Sequence, residues 1–403
     1  MAEENRNFSF QETTPATPYQ NGKNQITPKE IFVHLGLFIL TFASVSFVGA
    51  NWVGKSAGVD SIWPLLMDGT VFAILLLGFL GSHEFGHYFA AVHHNIKTTL
   101  PYFIPLPIAI GTMGAVIRIK EQINNTKKLF DVGISGPLVG FVVSLLILIY
   151  GFSTLPEPDY IMNFAGHDDV KSHVQNYGSY PDEPSVESGD NVQVLLLGNT
   201  LLYSFIASFF NNVPPMYEMY HYPFLFAGWL GLFFTALNLT PVGQLDGGHI
   251  LYSLIGFKKH QFVARIFYGG LLTLGGVGLL HSIYDFVPEG DFTYQLIPWV
   301  VWAALLQFLL NKAFHGDKFW VGMSLPVILA LNALLFYFLV SPDRASGFTT
   351  WFIWSLFVAF FVGVEHPPAR YETKLDPQRT KLGWISMGIF ILCISPSPMY
   401  IIS

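Results

Sequence analysis

The stretch FLGSHEFGHYFAAVHH, residues 79–94, places two histidines and a glutamate inside an otherwise apolar run. Residues four apart lie on the same face of an α-helix, so His83 and His87 can present both imidazoles to one metal ion. Glu84 lies about 100° round the helix from His83, which brings its carboxylate beside the ion, where it can take a proton from water. Because ionisable groups are costly in a bilayer unless they are paired or functional, this pattern predicts a zinc site with one ion per chain.

The composition around this stretch is that of a membrane protein. Of 403 residues, 52% are hydrophobic and only 12% are charged, whereas soluble proteins carry roughly 25% charged residues. Several apolar blocks reach the roughly 20 residues that a helix needs to cross a bilayer, which predicts an all-α polytopic membrane protein in contact with lipid. The net charge of −7 argues against a nucleic-acid partner. The blocks are 31–50, 70–82, 132–152, 193–210, 224–240, 263–284, 296–310, 319–340, 348–364 and 382–394.

The distribution of Lys and Arg in the short loops predicts the orientation of the chain. The connection 95–130 carries five basic residues, whereas 153–190 carries one among many acidic residues. The first is therefore predicted to be cytoplasmic and the second external. The loops alternate consistently between the cytoplasmic and the external side only if block 193–210 does not cross, and lies in the interface or re-enters the membrane instead. This leaves about nine transmembrane helices. The N-terminus is then cytoplasmic, and the HEFGH stretch lies toward the cytoplasmic end of the second span.

A third metal ligand is predicted in the segment LNLTPVGQLDGGHILYSLIG, residues 237–256. Asp246 is an acidic residue in an apolar stretch, flanked by proline and glycines that break a helix locally. Such a break at membrane depth is tolerated where the backbone is buried in protein or faces a polar cavity, and it can carry a carboxylate ligand. Two alternatives stay open on the residues alone. Asp246 could cap a helix at the membrane surface, or His249 could be the ligand instead.

The segment TTLPYFIPLPIAIGTMGAVIRIKEQ, residues 98–122, opposes a regular helix in its first half because it contains three closely spaced prolines. The later AVIRIK alternates in the manner of a β-strand. We predict a re-entrant loop followed by a short edge strand near the cytoplasmic face, to which an extended peptide could add as a further strand. A membrane hairpin that only packs the spans together is the alternative.

Four sequence motifs resemble those of the site-2 protease family of intramembrane zinc metalloproteases. They are HEFGH at 83–87, GTMGAVIRI at 111–119, FDVGISGPLVG at 130–140 and LNLTPVGQLDGGH at 237–249. The resemblance covers roughly residues 68–285. It is greatest to the branch that includes plastid and cyanobacterial members, with extra C-terminal helices and the sequence NLxPVGQLDGGH. Residues 153–222 are too short and irregular to hold the PDZ domain of many bacterial relatives.

The resemblance implies a role for individual residues of this chain. His83, His87 and Asp246 would bind zinc, Glu84 would be the general base, and Asn238 would help to stabilise the tetrahedral intermediate. It also implies a substrate-binding strand composed of Gly111, Thr112, Met113, Gly114, Ala115, Val116 and Ile117. The implied activity is hydrolysis of a peptide bond in or near a transmembrane segment of a membrane-tethered protein, such as an anti-sigma factor, at the bacterial inner membrane.

The predicted domain organisation has four parts. Residues 1–29 form a disordered cytoplasmic tail, 30–285 the catalytic membrane core, and 286–403 additional C-terminal transmembrane helices. Residues 153–222 form an extracytoplasmic loop inserted in the core. Ionisable residues within the membrane also mark ion pathways, so a polytopic metal transporter or a metal-binding receptor without protease activity is the alternative function. A pseudoprotease that binds membrane partners without cutting them is a further alternative.

Overall fold

The computed structural model describes residues 27–58, 60–183, 194–284, 286–287, 292–340 and 348–402, so most of the predicted N-terminal tail lies outside the described residues. Its architecture is helical, with two small antiparallel sheets. The elements in chain order are α1 Pro28–Val53, α2 Ile62–His93, β1 Tyr102–Pro105, β2 Thr112–Val116, α3 Thr126–Ser153, α4 Asp168–Tyr177, β3 Val194–Leu197, α5 Leu201–Ala207, α6 Pro223–Asn238, α7 Asp246–Ile255, α8 Phe257–Tyr284, α9 Phe292–Ala313, α10 Lys318–Leu334, α11 Thr349–Phe357, α12 Pro377–Cys393 and β4 Met399–Ile402.

Six helices in the described part of the chain are long and apolar enough to cross a bilayer, namely α1, α2, α3, α8, α9 and α10. Two further apolar helices, α6 and the helix at 349–362, are shorter. Large apolar side chains point outward, as Phe32 and Phe338 show with 75% and 78% of their surface exposed. Such a surface suits lipid rather than water. The prediction of an all-α polytopic membrane protein is confirmed, with six long helices where the loop pattern predicted about nine spans.

Helices α1, α2, α3 and α6 pack together and form the first hydrophobic core. Helix α1 begins at a capping box, in which Thr27 Oγ1 accepts from the Glu30 amide and the Glu30 carboxylate accepts from the Thr27 amide. Close contacts between α1 and α2 depend on glycine, because a methyl group at Gly49 would lie 2.7 Å from the Phe72 ring. This core holds the middle of α2 in a fixed position.

The short edge strand predicted between α2 and α3 is present as β2, but it ends at Val116 rather than running through the AVIRIK stretch, and the segment predicted as a loop contains a second strand, β1. Strand β1 pairs antiparallel with β2, Tyr102 opposite Val116, with an irregularity between Ile104 and Pro105. Within the described residues no other strand pairs with β2, so its second edge is free. Thr112 fixes the irregular end of β2, since its hydroxyl donates to the Ile104 carbonyl at 2.9 Å and accepts from the Gly114 amide at 2.9 Å.

The described part of 153–222 consists of short elements. They include a six-residue 3₁₀ helix at Pro158–Asn163, helix α4, strand β3 and the seven-residue helix α5. Block 193–210 is thus divided between β3 and α5, neither of which has the length of a bilayer-crossing helix. Strand β3 pairs with β4 at the far end of the chain, Val194 opposite Ile402.

Helices α6 and α7 are separated by a turn whose backbone is hydrogen-bonded to a distant segment of the chain. Gly243 has a positive φ of 52° and donates its amide to the Val364 carbonyl at 2.8 Å. A side chain at Gly243 would overlap the carbonyl oxygen of Gly363. This turn delivers Asp246 to the first position of α7. Its position therefore depends on residues more than a hundred positions later in the chain.

The C-terminal helices form a second hydrophobic core around Trp302 and Leu306, together with α8. The connection between α11 and α12 returns to the first core. The Thr373 amide donates to Thr126 Oγ1 on α3 at 2.8 Å, and Tyr252 on α7 donates to Glu372 at 2.6 Å. At the start of α12, Arg379 donates to both carboxylate oxygens of Asp131 on α3, each at 2.7 Å. This connection therefore packs against α3 and α7 near the predicted metal site.

Candidate metal centre

Three predicted ligands converge in the structure. His83 Nε2 and His87 Nε2 lie 3.0 Å apart, and Asp246 Oδ2 lies 3.4 Å from the former and 3.2 Å from the latter. All three ligand atoms lie within 4.8 Å of one another. Ligand atoms of a tetrahedral zinc ion at about 2.0–2.1 Å lie about 3.3–3.4 Å apart, so the cluster has the dimensions of a metal site.

The hydrogen bond made by His87 fixes the nitrogen that can bind an ion. Its Nδ1 lies 2.7 Å from the carbonyl oxygen of Val132, which can only accept, so Nδ1 carries the hydrogen. The lone pair is then on Nε2, which faces His83 and Asp246. Orientation of a metal-binding histidine by a carbonyl oxygen in this way is a regular feature of metal sites. The donor set therefore fits a zinc ion.

Glu84 lies beside this cluster, with its carboxylate oxygen Oε1 4.0 Å from His83 Nε2. Its other oxygen, Oε2, accepts the backbone amide of Ile117 at 2.8 Å. The residue is 8% exposed. The hydrogen bond from Ile117 links the glutamate to the end of β2, and nothing in the sequence indicated that link. It holds one oxygen and leaves the other facing the cluster.

The cluster opens into a cavity of about 450 Å³. Residues 113–117 of the predicted substrate strand line it, with Met113 69% exposed. Gly111 and Thr112 lie outside the lining, and a side chain at Gly111 would overlap the backbone of α1 at Val45. Asn238, the last residue of α6, also lines the cavity. The structure thus brings most of the predicted site residues to one cavity.

His249, the alternative third ligand, has a different partner. His366 Nδ1 donates to the Pro367 carbonyl at 2.5 Å, so its Nε2 accepts from His249 Nδ1 at 2.8 Å. Burial lowers the pKa of His366, which keeps the ring neutral and able to accept. Asp246, not His249, completes the group of converging ligand atoms in the described residues. The pairing with His366 joins residues 117 positions apart, and no local sequence signal pointed to it.

Glycines on α3 make room for the two histidines. A side chain at Gly136 would overlap the imidazole ring of His87, and one at Gly140 would lie 3.2 Å from His83 Nδ1. A side chain at Gly133 would lie 2.9 Å from His249 Cβ. The three glycines follow each other at helical spacing on the face of α3 that meets α2 and α7. This packing gives the FDVGISGPLVG motif a physical role.

Replacing Gly136 with alanine should displace the His87 ring and weaken zinc binding by about 10–100-fold, the range seen when groups that orient metal ligands are altered. Zinc affinity should be measured by competition with a chelator of known affinity. Gly78→Ala on α2 is the matched control, because a side chain there meets nothing within 4 Å. Equal zinc affinity in the Gly136 and Gly78 variants would show that α3 does not constrain the ligand.

The fold and the cluster define a polytopic membrane protein with a metal centre between its helices, whose ligands are two histidines and one carboxylate. The model of the family described as Peptidase family M50 matches residues 71–282, more than half of the chain. The chain therefore belongs to peptidase family M50, the family of the site-2 proteases.

Curated relatives carry names of the same kind. The chain is 29% identical over 284 residues to a protein named probable zinc metalloprotease EGY1, chloroplastic, of Arabidopsis thaliana, covering 70% of this chain and 45% of that protein. It is 30% identical over 233 residues to probable zinc metalloprotease EGY2, chloroplastic, of Oryza sativa subsp. indica, covering 58% and 37%. The chain thus spans less than half the length of these relatives. No solved structure matches it significantly.

Proposed function

We propose that this protein is a zinc-dependent intramembrane endopeptidase that hydrolyses a peptide bond in or near a transmembrane segment of a membrane-tethered substrate. The observation that carries the proposal is the convergence of His83, His87 and Asp246 beside Glu84, in a cavity bordered by a strand with a free edge. Membership of peptidase family M50 supports the same class of reaction.

His83, His87 and Asp246 would hold the metal. A bound zinc ion would supply the Lewis acidity that activates water and polarises a carbonyl group. The free carboxylate oxygen of Glu84 is placed to take a proton from the attacking water and to give it to the departing amine. Asn238 is proposed to hydrogen-bond the oxyanion of the tetrahedral intermediate. These roles account for each polar group that the sequence predicted at the site.

The free edge of β2 is the proposed binding surface for the substrate backbone. A transmembrane helix keeps its carbonyl groups in its own hydrogen bonds, and exposing them in lipid is costly. An unwound substrate segment that adds to β2 as a strand would regain those hydrogen bonds. Residues 113–117 would then hold it against the cavity wall, with the peptide bond close to Glu84. Binding by strand addition accounts for the position of β2 at the cavity.

The finer predictions of biological context stay predictions. They are a bacterial inner membrane, a cytoplasmic N-terminus, a tethered regulator such as an anti-sigma factor as substrate, and a division of the chain into a core at 30–285 and further helices at 286–403. The names of the curated relatives describe those proteins as chloroplastic. The proposal of intramembrane hydrolysis does not depend on whether the protein lies in a bacterial or a chloroplast membrane.

The proposal is tested by reconstituting the purified protein in lipid vesicles together with a library of single-span reporter proteins. Cleavage products should appear only with zinc present, and mass spectrometry should place the cuts within or next to the reporter spans. Cuts confined to the soluble parts of the reporters would contradict the proposal. A protein that retains zinc and cleaves no member of the library would favour the receptor or transporter alternative.

Replacing Thr112 with valine should lower the efficiency of cleavage about tenfold without loss of zinc. The substitution removes the hydroxyl that holds the irregular end of β2, and it leaves the Gly114 amide and the Ile104 carbonyl without that partner. Such losses cost about 1–3 kcal/mol. Thr112→Ser keeps the hydroxyl and is the matched control. An efficiency unchanged in the valine variant, measured as kcat/KM, would argue against substrate binding on β2.

A further inference from the structure

A second group of metal-ligating side chains lies at the opposite end of α2. His167, Glu218 and His221 place one ligand atom each within 4.8 Å of one another. Leu65 lines the cavity next to this group, together with His167 and His221. Because Leu65 precedes His83 by 18 residues on α2, the two clusters are separated by about 27 Å along the helix axis. The second cluster is therefore distinct from the first.

Hydrogen bonds fix the tautomer of both histidines in this second cluster. His221 Nδ1 lies 2.9 Å from the carbonyl oxygen of Trp52, and His167 Nδ1 lies 3.0 Å from Glu218 Oε1. A carbonyl oxygen can only accept a hydrogen bond, and so can an ionised carboxylate, so each Nδ1 carries the hydrogen. The lone pairs are then on the two Nε2 atoms. These face one another at 3.1 Å, an arrangement that is repulsive without a cation or a proton between them.

Glu218 supplies a third electron-pair donor at the same place. Its Oε2 lies 3.5 Å from His221 Nε2, and within the described part of the chain it has no hydrogen-bond partner. The side chain is 2% exposed. A proton shared by the two imidazoles would leave this buried oxygen without a partner, which is unfavourable. A metal ion would satisfy all three atoms together.

The dimensions and the donor types agree with a transition-metal ion. The distances of 3.1 and 3.5 Å lie on either side of the roughly 3.3–3.4 Å between ligand atoms of tetrahedral zinc. Two imidazoles and one carboxylate are a known zinc ligand set, and they disfavour calcium and magnesium, which prefer oxygen ligands. The same construction is present at the first cluster, where a carbonyl oxygen also orients His87.

We propose that His167, Glu218 and His221 form a second zinc site, with a structural role. The site joins the segment after α3, the end of α1 through Trp52, and the 3₁₀ turn at Met219–His221 that precedes α6. His167 is held at a positive φ of 59° directly before α4. A bound ion would therefore fasten the two ends of the connection between α3 and α6 to each other, beside the end of α1 to which Trp52 already joins His221. The proposal does not depend on peptidase activity.

The test is zinc stoichiometry on detergent-purified protein equilibrated with buffered free zinc. The wild type should hold about two ions per chain, and His167→Asn and Asp246→Ala should hold about one each. Asparagine tolerates the backbone conformation of His167, so this variant should fold. His173→Gln, on α4, is the matched control and should retain two. The double variant His167→Asn with Asp246→Ala should hold none.

Two results would overturn the second site. One is a single zinc ion in the wild type that is lost in Asp246→Ala and kept in His167→Asn. The other is two ions in both the wild type and His167→Asn. A conservative second variant, Glu218→Gln, removes the carboxylate charge while keeping its shape and should also lower the count by one. Size-exclusion profiles of all variants would separate loss of zinc from loss of fold.

Discussion

Replacing Glu84 with glutamine should reduce the rate of hydrolysis by about 10²–10⁴-fold, the contribution expected of one general acid–base group. Glutamine matches glutamate in shape, and its carbonyl oxygen can still accept the Ile117 amide, which the wild-type carboxylate accepts at 2.8 Å. The group that takes the proton from water is lost, while the zinc ligands are untouched. Single-turnover cleavage of a reporter in lipid vesicles measures the effect directly.

Zinc content separates this loss from damage to the metal site. The Glu84→Gln variant should hold as much zinc as the wild type and elute at the same volume in size exclusion. Glu121→Gln is the control, because Glu121 is half-buried outside the lining of the cavity, where its carboxylate accepts the Lys97 amide. A Glu84→Gln protein that cleaves within a factor of three of the wild type would remove Glu84 as the general base.

Replacing Asp246 with alanine should lower the affinity of the first cluster for zinc by roughly 10²–10³-fold. Structural zinc sites release about 10–16 kcal/mol on binding, shared among four ligands, so one ligand accounts for about 2.5–4 kcal/mol. Asp246 Oδ2 joins α7 to the two histidines of α2. Zinc affinity by chelator competition and the rate of hydrolysis should fall together.

A milder substitution and a surface control sharpen this result. Asp246→Asn keeps a carbonyl oxygen in place and should lose less affinity than the alanine variant. Asp169→Asn, at an exposed position of α4, should change nothing. If zinc at the first cluster survives Asp246→Ala with unchanged affinity, the ligand must be another group, and His249 is then the first residue to replace.

Local helical geometry explains how the site could be predicted from the sequence. His83 and His87 lie four apart in one helix, so their proximity follows from its 3.6-residue turn. Asp246 could be singled out because an acidic residue next to a proline and glycine break is costly in an apolar segment. That Asp246 meets those two histidines, rather than capping a helix elsewhere, depended on the family resemblance.

Contacts between distant segments could not be predicted in the same way. The bond between His249 and His366, and the link of Glu84 to Ile117, depend on how the helices pack. The glycines of α3 were recognised as a motif, but their role needs the position of the His87 ring. The cluster of His167, Glu218 and His221 joins two separate loops, and its histidines have no regular spacing that the sequence could reveal.

The sequence predicted about nine transmembrane helices, whereas six helices in the described residues are long enough to cross a bilayer. The difference arises because an apolar block does not reveal how long the helix within it is. Helix α6 has 16 residues, the helix at 349–362 has 14 and α12 has 17, so all three are shorter than the roughly 20 residues of a full crossing. The apolar blocks at those places continue into turns that the hydropathy does not separate from helix. The strand pairing of β3 with β4 also escaped prediction, because it joins residues about two hundred positions apart.

The turn that positions Asp246 has a consequence for the biogenesis of the protein. Its Gly243 amide is bonded to the carbonyl of Val364, which the ribosome adds 121 residues later. At a synthesis rate of about 5–20 residues per second, this is a delay of roughly 6–24 seconds. During that interval the nascent chain contains His83, His87 and Asp246 without the contact that fixes the turn before Asp246. The turn that places Asp246 beside the two histidines can therefore be completed only after all six long apolar helices of the described residues have been synthesised.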